Sequence, residues 1–432
     1  MMNLFTRIYK RLSSVPKHWK VFTLILSSTV IGYGLGFLAL PVLIFIYKPH
    51  QFGEWALFTG VSSIATTFLT FRFEYSLPVA EDNQSRIKLL SFSMLLAALV
   101  ALLFSVAVLI LCLLGSIPQD LILSLVLSPI GGLAYGYYLL WTNAAIANAA
   151  YKSVASAKIL QTTLTPAVQL LLGIAIIYFY EDSSLPLMLG SIIGWFSASY
   201  FLARKIPEIS SATLPKNFID TVRRYKAFAI YSMPAALFMR LSTQLPNVLI
   251  GPLYGLSIAG SYAIAQRLLG TPAALVSQSF AQTFFGLTSE KVLSISKMFA
   301  NLKKSIFYFL FPYMLYAMAA YLLLTLYPHW KTASIALLIL APHFFMQFFS
   351  QALGALYISA GLQRRELVIE ASRFSFSVVA LLLPWILQLH SLYFLFGPFV
   401  AVNVLIYILW ILDASRVLNT FTSSKVSGGN EG

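Results

Sequence analysis

Three arginines, Arg240, Arg267 and Arg373, stand inside stretches of sequence that are otherwise apolar enough to cross a membrane. A cation at mid-bilayer costs about 2.5–3.5 kcal/mol on insertion scales, so such residues normally face a bundle interior or an aqueous cavity and mark the path of a charged ligand. The planar donor fork of arginine suits carboxylate and phosphate oxygens, so the chemistry on offer is the recognition of an anion. Around Arg240, residues Thr243, Gln244 and Asn247 follow at i+3, i+4 and i+7 and share one helix face. Counted from Ala227, Arg240 lies about 20 Å into its helix, too deep to reach either surface by snorkelling.

A second face of the same kind joins Gly260, Ala263, Arg267, Gly270, Thr271, Ala274 and Gln278, with large apolar residues on the remainder of the helix. His343, Gln347, Ser350, Gln351 and Gly354 form a third stripe that can hydrogen-bond but carries no fixed charge, and Thr162, Thr165 and Gln169 form a weaker fourth. Arg373 has Glu370 three residues before it, and both lie within about 9 Å of the inner end of their helix, so an ion pair near the inner mouth competes with substrate binding there. Arg72 and Glu74 close the second helix. Two residues apart, they do not share a helix face and are expected to contact different neighbours.

The elements that must position these residues are membrane helices. Of 432 residues, 59% are hydrophobic and only 10% charged, which would demand a larger core than a soluble chain of this length can bury. About twelve apolar runs are long enough to span ~30 Å of hydrocarbon as helices: 21–47, 52–71, 89–114, 121–145, 159–180, 185–203, 227–251, 257–284, 306–326, 333–360, 367–387 and 392–412. The first run is longer than a signal-peptide core and is expected to remain as the first helix.

The formal net charge of +15 could suggest nucleic acid, but the charge alternates from loop to loop. The N-terminus and the even-numbered loops hold the basic residues, while the odd-numbered loops contribute only Lys48 and Lys331, which places both termini in the cytoplasm. Trp55, Trp330 and Trp385 then fall near the outer interface, and Trp19 and Trp410 near the inner one. Cys112 is the only cysteine, so neither a disulfide nor a thiolate metal site is available.

The longest inner loop, 204–226, divides the helices six and six, predicting an N-terminal lobe over 1–215 and a C-terminal lobe over 216–432. Gly53-Glu54-Trp55-Ala56-Leu57 matches Gly260-Ser261-Tyr262-Ala263-Ile264 at an offset of 207 residues, and both stretches follow a proline in the preceding helix, Pro41 and Pro246. Six helices per half make such repeats parallel, related by an axis along the membrane normal, with cargo bound between the bundles. Small-xxx-small pairs at Gly32/Gly36, Gly132/Gly136, Gly190/Gly194 and Gly251/Gly255 permit close helix approach.

No paired-histidine zinc motif, Gly-Lys phosphate loop or nucleophile with a recognisable base is present, so no catalytic residue, metal ligand or cofactor is assigned and the chain does not read as an enzyme. A glycan polymerase or ligase would be expected to carry a large outer loop, and the outer loops here are short.

Phe52-Gly53-Glu54-Trp55, the run Phe71-Arg72-Phe73-Glu74-Tyr75-Ser76-Leu77-Pro78, Gly260-Ser261-Tyr262 followed by Arg267 and Pro272, and Gly361-Leu362-Gln363-Arg364-Arg365 together resemble the Wzx-type polysaccharide repeat-unit flippases. That resemblance implies a fold shared with MATE drug exporters and lipid II flippases, an all-α polytopic protein of two six-helix lobes around a central cavity. It implies movement of undecaprenyl-diphosphate-linked oligosaccharides across the bacterial inner membrane for O-antigen, capsule or exopolysaccharide synthesis, beside a polymerase and a chain-length regulator as partners.

On this reading the substrate-binding residues are Arg240, Arg267, Gln244, Asn247, Gln347, Gln351 and Arg373, with Glu54, Arg72, Glu74 and Glu370 as candidates for coupling or gating. Many relatives carry an acidic residue near the position of Asn247, so an ion-coupling role does not transfer to that site. The alternatives are a MATE-like multidrug or cation exporter, which would need mid-membrane carboxylates, and a lipid II-type flippase, which usually has additional helices.

Overall fold

The computed structural model describes residues 32, 34–177, 182–206, 218–226, 228–272, 292–359, 363–389 and 391–427, and every regular element among them is helical. The first half contributes α1 (Gly34–Ile46), α2 (Pro49–Thr70), α3 (Asn83–Leu113), α4 (Gln119–Ala147), α5 (Tyr151–Ile177) and α6 (Leu185–Lys205). A short helix, Phe218–Arg224, precedes the second half. There, a π-helical turn at Phe228–Ser232 leads into α7 (Met233–Tyr254), and α8 (Leu256–Ala265) runs into a second π-helical turn at Gln266–Gly270. The remaining helices are α9 (Val292–Thr325), α10 (Lys331–Ser359), α11 (Gln363–Ile386) and α12 (Leu392–Ser427). Among the described residues eight helices are long and apolar enough to cross a membrane.

Local chemistry sets the helix ends. Pro49 starts α2 at a position where its missing N–H costs nothing, and the Lys48 amide donates to Gln51 Oε1 at 2.7 Å. Asp82 caps α3 by accepting the Ser85 amide at 2.9 Å; hydrogen bonds from the Ser85 hydroxyl and amide hold its carboxyl below the usual aspartate range. Arg204 and Lys205 sit in the last turn of α6, where cations complement the helix dipole. Gly255, at φ +96°, makes the tight turn from α7 to α8.

Contacts sort the helices into two groups. In the first lobe α2 packs on α4, α4 on α6, α5 on α6 and α3 on α4; in the second α10 and α11 pack on α12, α7 on α11, and α8 and α9 on α10. The lobes meet chiefly through α2, which lies against both α7 and α8. At this seam Gly53 faces Gly260 so closely that a methyl group on Gly53 would sit 1.9 Å from the Leu256 carbonyl oxygen, and one on Gly260 would sit 1.7 Å from the Pro49 carbonyl oxygen. Pro49 and Leu256 are themselves 207 residues apart, as are Gly53 and Gly260. The sequence repeat is thus a reciprocal contact, in which each copy meets the other through equivalent residues.

Next to that crossing an aromatic cluster closes the Lys48 end of the bundle. Phe52 stands edge-on to Trp330 and Trp55, with centroids at 5.1 and 5.6 Å. Trp330 donates its indole N–H to the Ile44 carbonyl at 3.0 Å, and Trp55 donates to Ser191 Oγ at 2.9 Å. Trp55 and Trp330 are buried in this seal and Trp410 is buried elsewhere in the second half, whereas Trp385 is exposed.

The glycine pairs divide. Gly190 and Gly194 admit α5 against α6, where added methyl groups would meet Gln169 Cγ at 2.4 Å and Thr165 Oγ1 at 2.1 Å; Gly36 has nothing within 4 Å.

Candidate functional site

A cavity of about 650 Å³ lies between the two lobes, and Arg240, Arg267, Gln244, Asn247 and Gln347 all line it. The spacing of 240, 244 and 247 on α7 does bring those side chains to one wall. Arg240 Nη1 donates to Ser63 Oγ of α2 at 3.1 Å, and its guanidinium lies 5.8 Å from the ring centroid of Tyr135 on α4. Asn247 donates to Gln244 Oε1 at 2.9 Å and to Gln266 Oε1 at 3.1 Å, while its own carbonyl oxygen is buried with no partner among the described residues. Gly60 permits this approach, because a methyl there would lie 3.0 Å from Val248 Cγ2 and 3.2 Å from Asn247 Cβ.

Arg267 occupies the π-helical turn that ends α8, a local widening of the helix that recurs at functional sites. Its guanidinium carbon lies 3.2 Å from the Trp55 ring centroid and 5.9 Å from that of Phe52, so a cation of the second lobe rests on aromatic rings of the first. Among the described residues no carboxylate lies within ion-pair distance of Arg240 or Arg267. Arg240 and Arg267 therefore both face one cavity among hydroxyl, amide and aromatic groups, and the only acidic group acting on Arg240 among the described residues is the buried Glu74, beyond ion-pair distance.

Other residues singled out by sequence lie elsewhere. Arg373 is 5% exposed and fully engaged away from the cavity, with Nη2 2.6 Å and Nε 3.0 Å from Glu370 Oε2 and Nη1 3.2 Å from the Tyr407 hydroxyl. His343 is buried against Phe344, Phe399 and Tyr407. Glu54, at the Lys48 end, accepts a hydrogen bond from the Ser184 hydroxyl. The side chains of Ser350 and Gln351, and residues Ala274 and Gln278, lie outside the described residues.

Arg72 and Glu74 correct the expectation drawn from helix faces: they form an ion pair at 3.7 Å. The helix ends before them, with Phe71 at φ 47° and Arg72 at φ 63°, so the helical spacing rule no longer applies. Two successive non-glycine residues in the left-handed region cost about 1–3 kcal/mol each. The compensation is local, since Arg72 lies 4.1 Å from the Tyr75 ring centroid and Phe73 and Glu74 are buried.

The structure adds a first-lobe wall that sequence reasoning largely missed. Thr59 and Ser63 of α2, Gln161, Thr162 and Thr165 of α5, and Trp195 of α6 line the cavity from the first lobe, with Ser63 in direct contact with Arg240. The threonine stripe was visible in the sequence at i and i+3. Trp195 had no signal, because an aromatic residue in an apolar helix looks the same whether it faces lipid or a cavity.

Residues 18–285 match a family model described as "Polysaccharide biosynthesis protein". No curated protein is similar enough in sequence to match. Among solved structures, the chain is similar to a multidrug resistance MATE family transporter of the MOP superfamily in its outward-facing conformation, at 14% identity and TM-score 0.57 over 93% of this chain and 96% of that one. It is similar to an inward-facing conformation at 15% identity and TM-score 0.56, over 93% and 95%. A point mutant of the Vibrio cholerae MATE transporter VcmN gives 13% identity and TM-score 0.56, over 93% and 96%. At such identities the likeness is one of fold.

Proposed function

Because the chain belongs to the polysaccharide biosynthesis protein family, we propose that it flips undecaprenyl-diphosphate-linked oligosaccharide repeat units across the bacterial inner membrane by alternating access. The observation that carries this reading is the pair of guanidinium groups that line the interlobe cavity with no carboxylate within ion-pair distance among the described residues.

A diphosphate supplies the missing charge. A unit-charge pair at 4 Å gains about 4 kcal/mol at an effective dielectric of 20, which exceeds the ~2.5–3.5 kcal/mol cost of holding each cation at mid-membrane. Gln244, Asn247 and Gln347 share the wall with the arginines and can hydrogen-bond the head group, while the polyprenyl tail stays in lipid between the lobes. Rocking about the α2–α8 crossing would then open the Lys48 end, which the charge pattern assigns to the periplasm. The fold alone would equally suit a multidrug exporter, but a cationic drug in this cavity would meet two like charges.

The test is in cells that depend on this chain for surface polysaccharide. Arg240→Ala is expected to abolish the glycan at matched membrane protein level, and Arg240→Lys to retain part of it. Full surface glycan in the alanine variant refutes the assignment.

A further inference from the structure

The two walls of the cavity differ in charge. The second-lobe wall carries the guanidinium groups, which only donate, beside amides that both donate and accept. The first-lobe wall carries no charge but several groups able to accept. Gln161 donates its amide to Thr165 Oγ1 at 3.4 Å, which turns its carbonyl oxygen away from that contact. Thr162 donates its hydroxyl to the Lys158 carbonyl at 2.8 Å, leaving the lone pairs of its oxygen as acceptors. Pro166 has no N–H, so the Thr162 backbone carbonyl lacks its usual helical donor four residues on.

These groups are held in place by glycines on neighbouring helices. A methyl on Gly194 would sit 2.1 Å from Thr165 Oγ1, and one on Gly32 would sit 2.4 Å from Thr162 Oγ1, so each hydroxyl occupies space that only glycine leaves free. Beside them Trp195 lines the cavity, supported by Tyr135 at 5.2 Å and by Phe58 stacked at 6.5 Å. An indole face next to fixed acceptors suits a ligand with apolar C–H faces and many hydroxyl donors. A diphosphate has no ring or C–H face for the indole to stack on and is drawn instead to the guanidinium groups.

We propose that the α5–α6 wall is a carbohydrate-reading subsite, in which Trp195 stacks on a sugar ring while Gln161, Thr162 and Thr165 accept hydrogen bonds from its hydroxyls. The inference rests on the flippase reading, with the arginines across the cavity holding the diphosphate of the same molecule. Charge is thereby read by one lobe and sugar by the other.

The experiment uses the full chain in lipid nanodiscs, with binding of two probes measured by native mass spectrometry: bare undecaprenyl diphosphate, and undecaprenyl diphosphate carrying the oligosaccharide extracted from the producing cell. Gln161→Ala and Trp195→Leu are each expected to weaken the glycosylated probe by about threefold to tenfold, the scale of one hydrogen bond or one stacked ring, and to leave the bare probe unchanged. Trp195→Phe should recover most of the loss. Arg240→Ala should weaken both probes alike. Equal losses on both probes in Gln161→Ala and Trp195→Leu, or no loss on either, overturn the sugar subsite. If Arg240→Ala leaves both probes bound as before, the anion-binding reading fails instead, and the two failures are separable in one data set.

Discussion

The glycine crossing offers the sharpest structural test. Gly53→Ala would place a methyl 1.9 Å from the Leu256 carbonyl oxygen, whereas real contacts begin near 3.0 Å, so α2 and α8 must part by about 1 Å. The obstructing atom is backbone, so no rotamer change relieves it. Overpacking of this kind costs about 1–3 kcal/mol. The same separation would loosen Phe52 against Trp330, now at a centroid distance of 5.1 Å, and a 0.5–1 Å gap forfeits roughly a quarter to a half of each dispersion contact. Since the clash and the loosened seal both disfavour closure at the Lys48 end, the closed population should fall by roughly 5- to 150-fold relative to the open one.

Gly260→Ala should act alike, its methyl being 1.7 Å from the Pro49 carbonyl oxygen. The double variant should cost less than the sum, because one helix displacement relieves both clashes. The assay is the thermal midpoint of purified protein, combined with impermeant maleimide labelling of Leu43→Cys from the outer face in a Cys112→Ala background; Leu43 lines the cavity and is buried. Gly36→Ala, with nothing within 4 Å, is the control and should change neither readout. Native midpoint and labelling in Gly53→Ala, or strict additivity in the double variant, would refute the reciprocal crossing.

Two further outcomes follow from the charged residues. Arg267→Lys keeps the charge but loses the flat face that lies 3.2 Å from the Trp55 centroid, so it should label faster at Leu43→Cys than the native protein; unchanged labelling would remove Arg267 from the seal. Glu370→Gln and Arg373→Met each strand a buried charge and should destabilise by about 3–5 kcal/mol, seen as a lower thermal midpoint, with bare undecaprenyl diphosphate binding retained at a temperature where the variants remain folded; selective loss of binding would restore Arg373 to the substrate path.

Much of this was legible in sequence because the bilayer imposes a simple rule. An apolar run long enough to span must be helical, so the number and order of helices follow from composition. The rule says nothing about where a helix stops outside the hydrocarbon: α9 begins at Val292, well before the apolar run that starts at Ile306, because its first turns meet no hydrophobic requirement. Arg240 and Arg267 were readable because charge in hydrocarbon is costly wherever the helix packs. The burial of Trp55 and Trp330 was not legible because an indole at interface depth satisfies lipid and protein seams equally well, and only the tertiary arrangement decides between them. Ser63 and Tyr135, which contact Arg240, belong to other helices and could not be paired with it by any spacing along the chain.

The offset that pairs Gly53 with Gly260 also pairs Trp55 with Tyr262 and Gly60 with Arg267. At positions matched by that offset, one half therefore carries no side chain and the other a cation. Gly60 lets α7 approach until Asn247 and Gln244 reach the cavity wall, and a side chain there would hold them off. Arg267 instead projects across the seam onto Trp55, while Tyr262, the counterpart of that tryptophan, is buried against Phe344 and Phe396 in the second lobe. Two identical repeats meeting at this crossing would make both walls alike. The exchanges at 60/267 and 55/262 break that equivalence and give the cavity one charged wall and one uncharged wall. A ligand with phosphate at one end and sugar at the other can then bind in only one orientation.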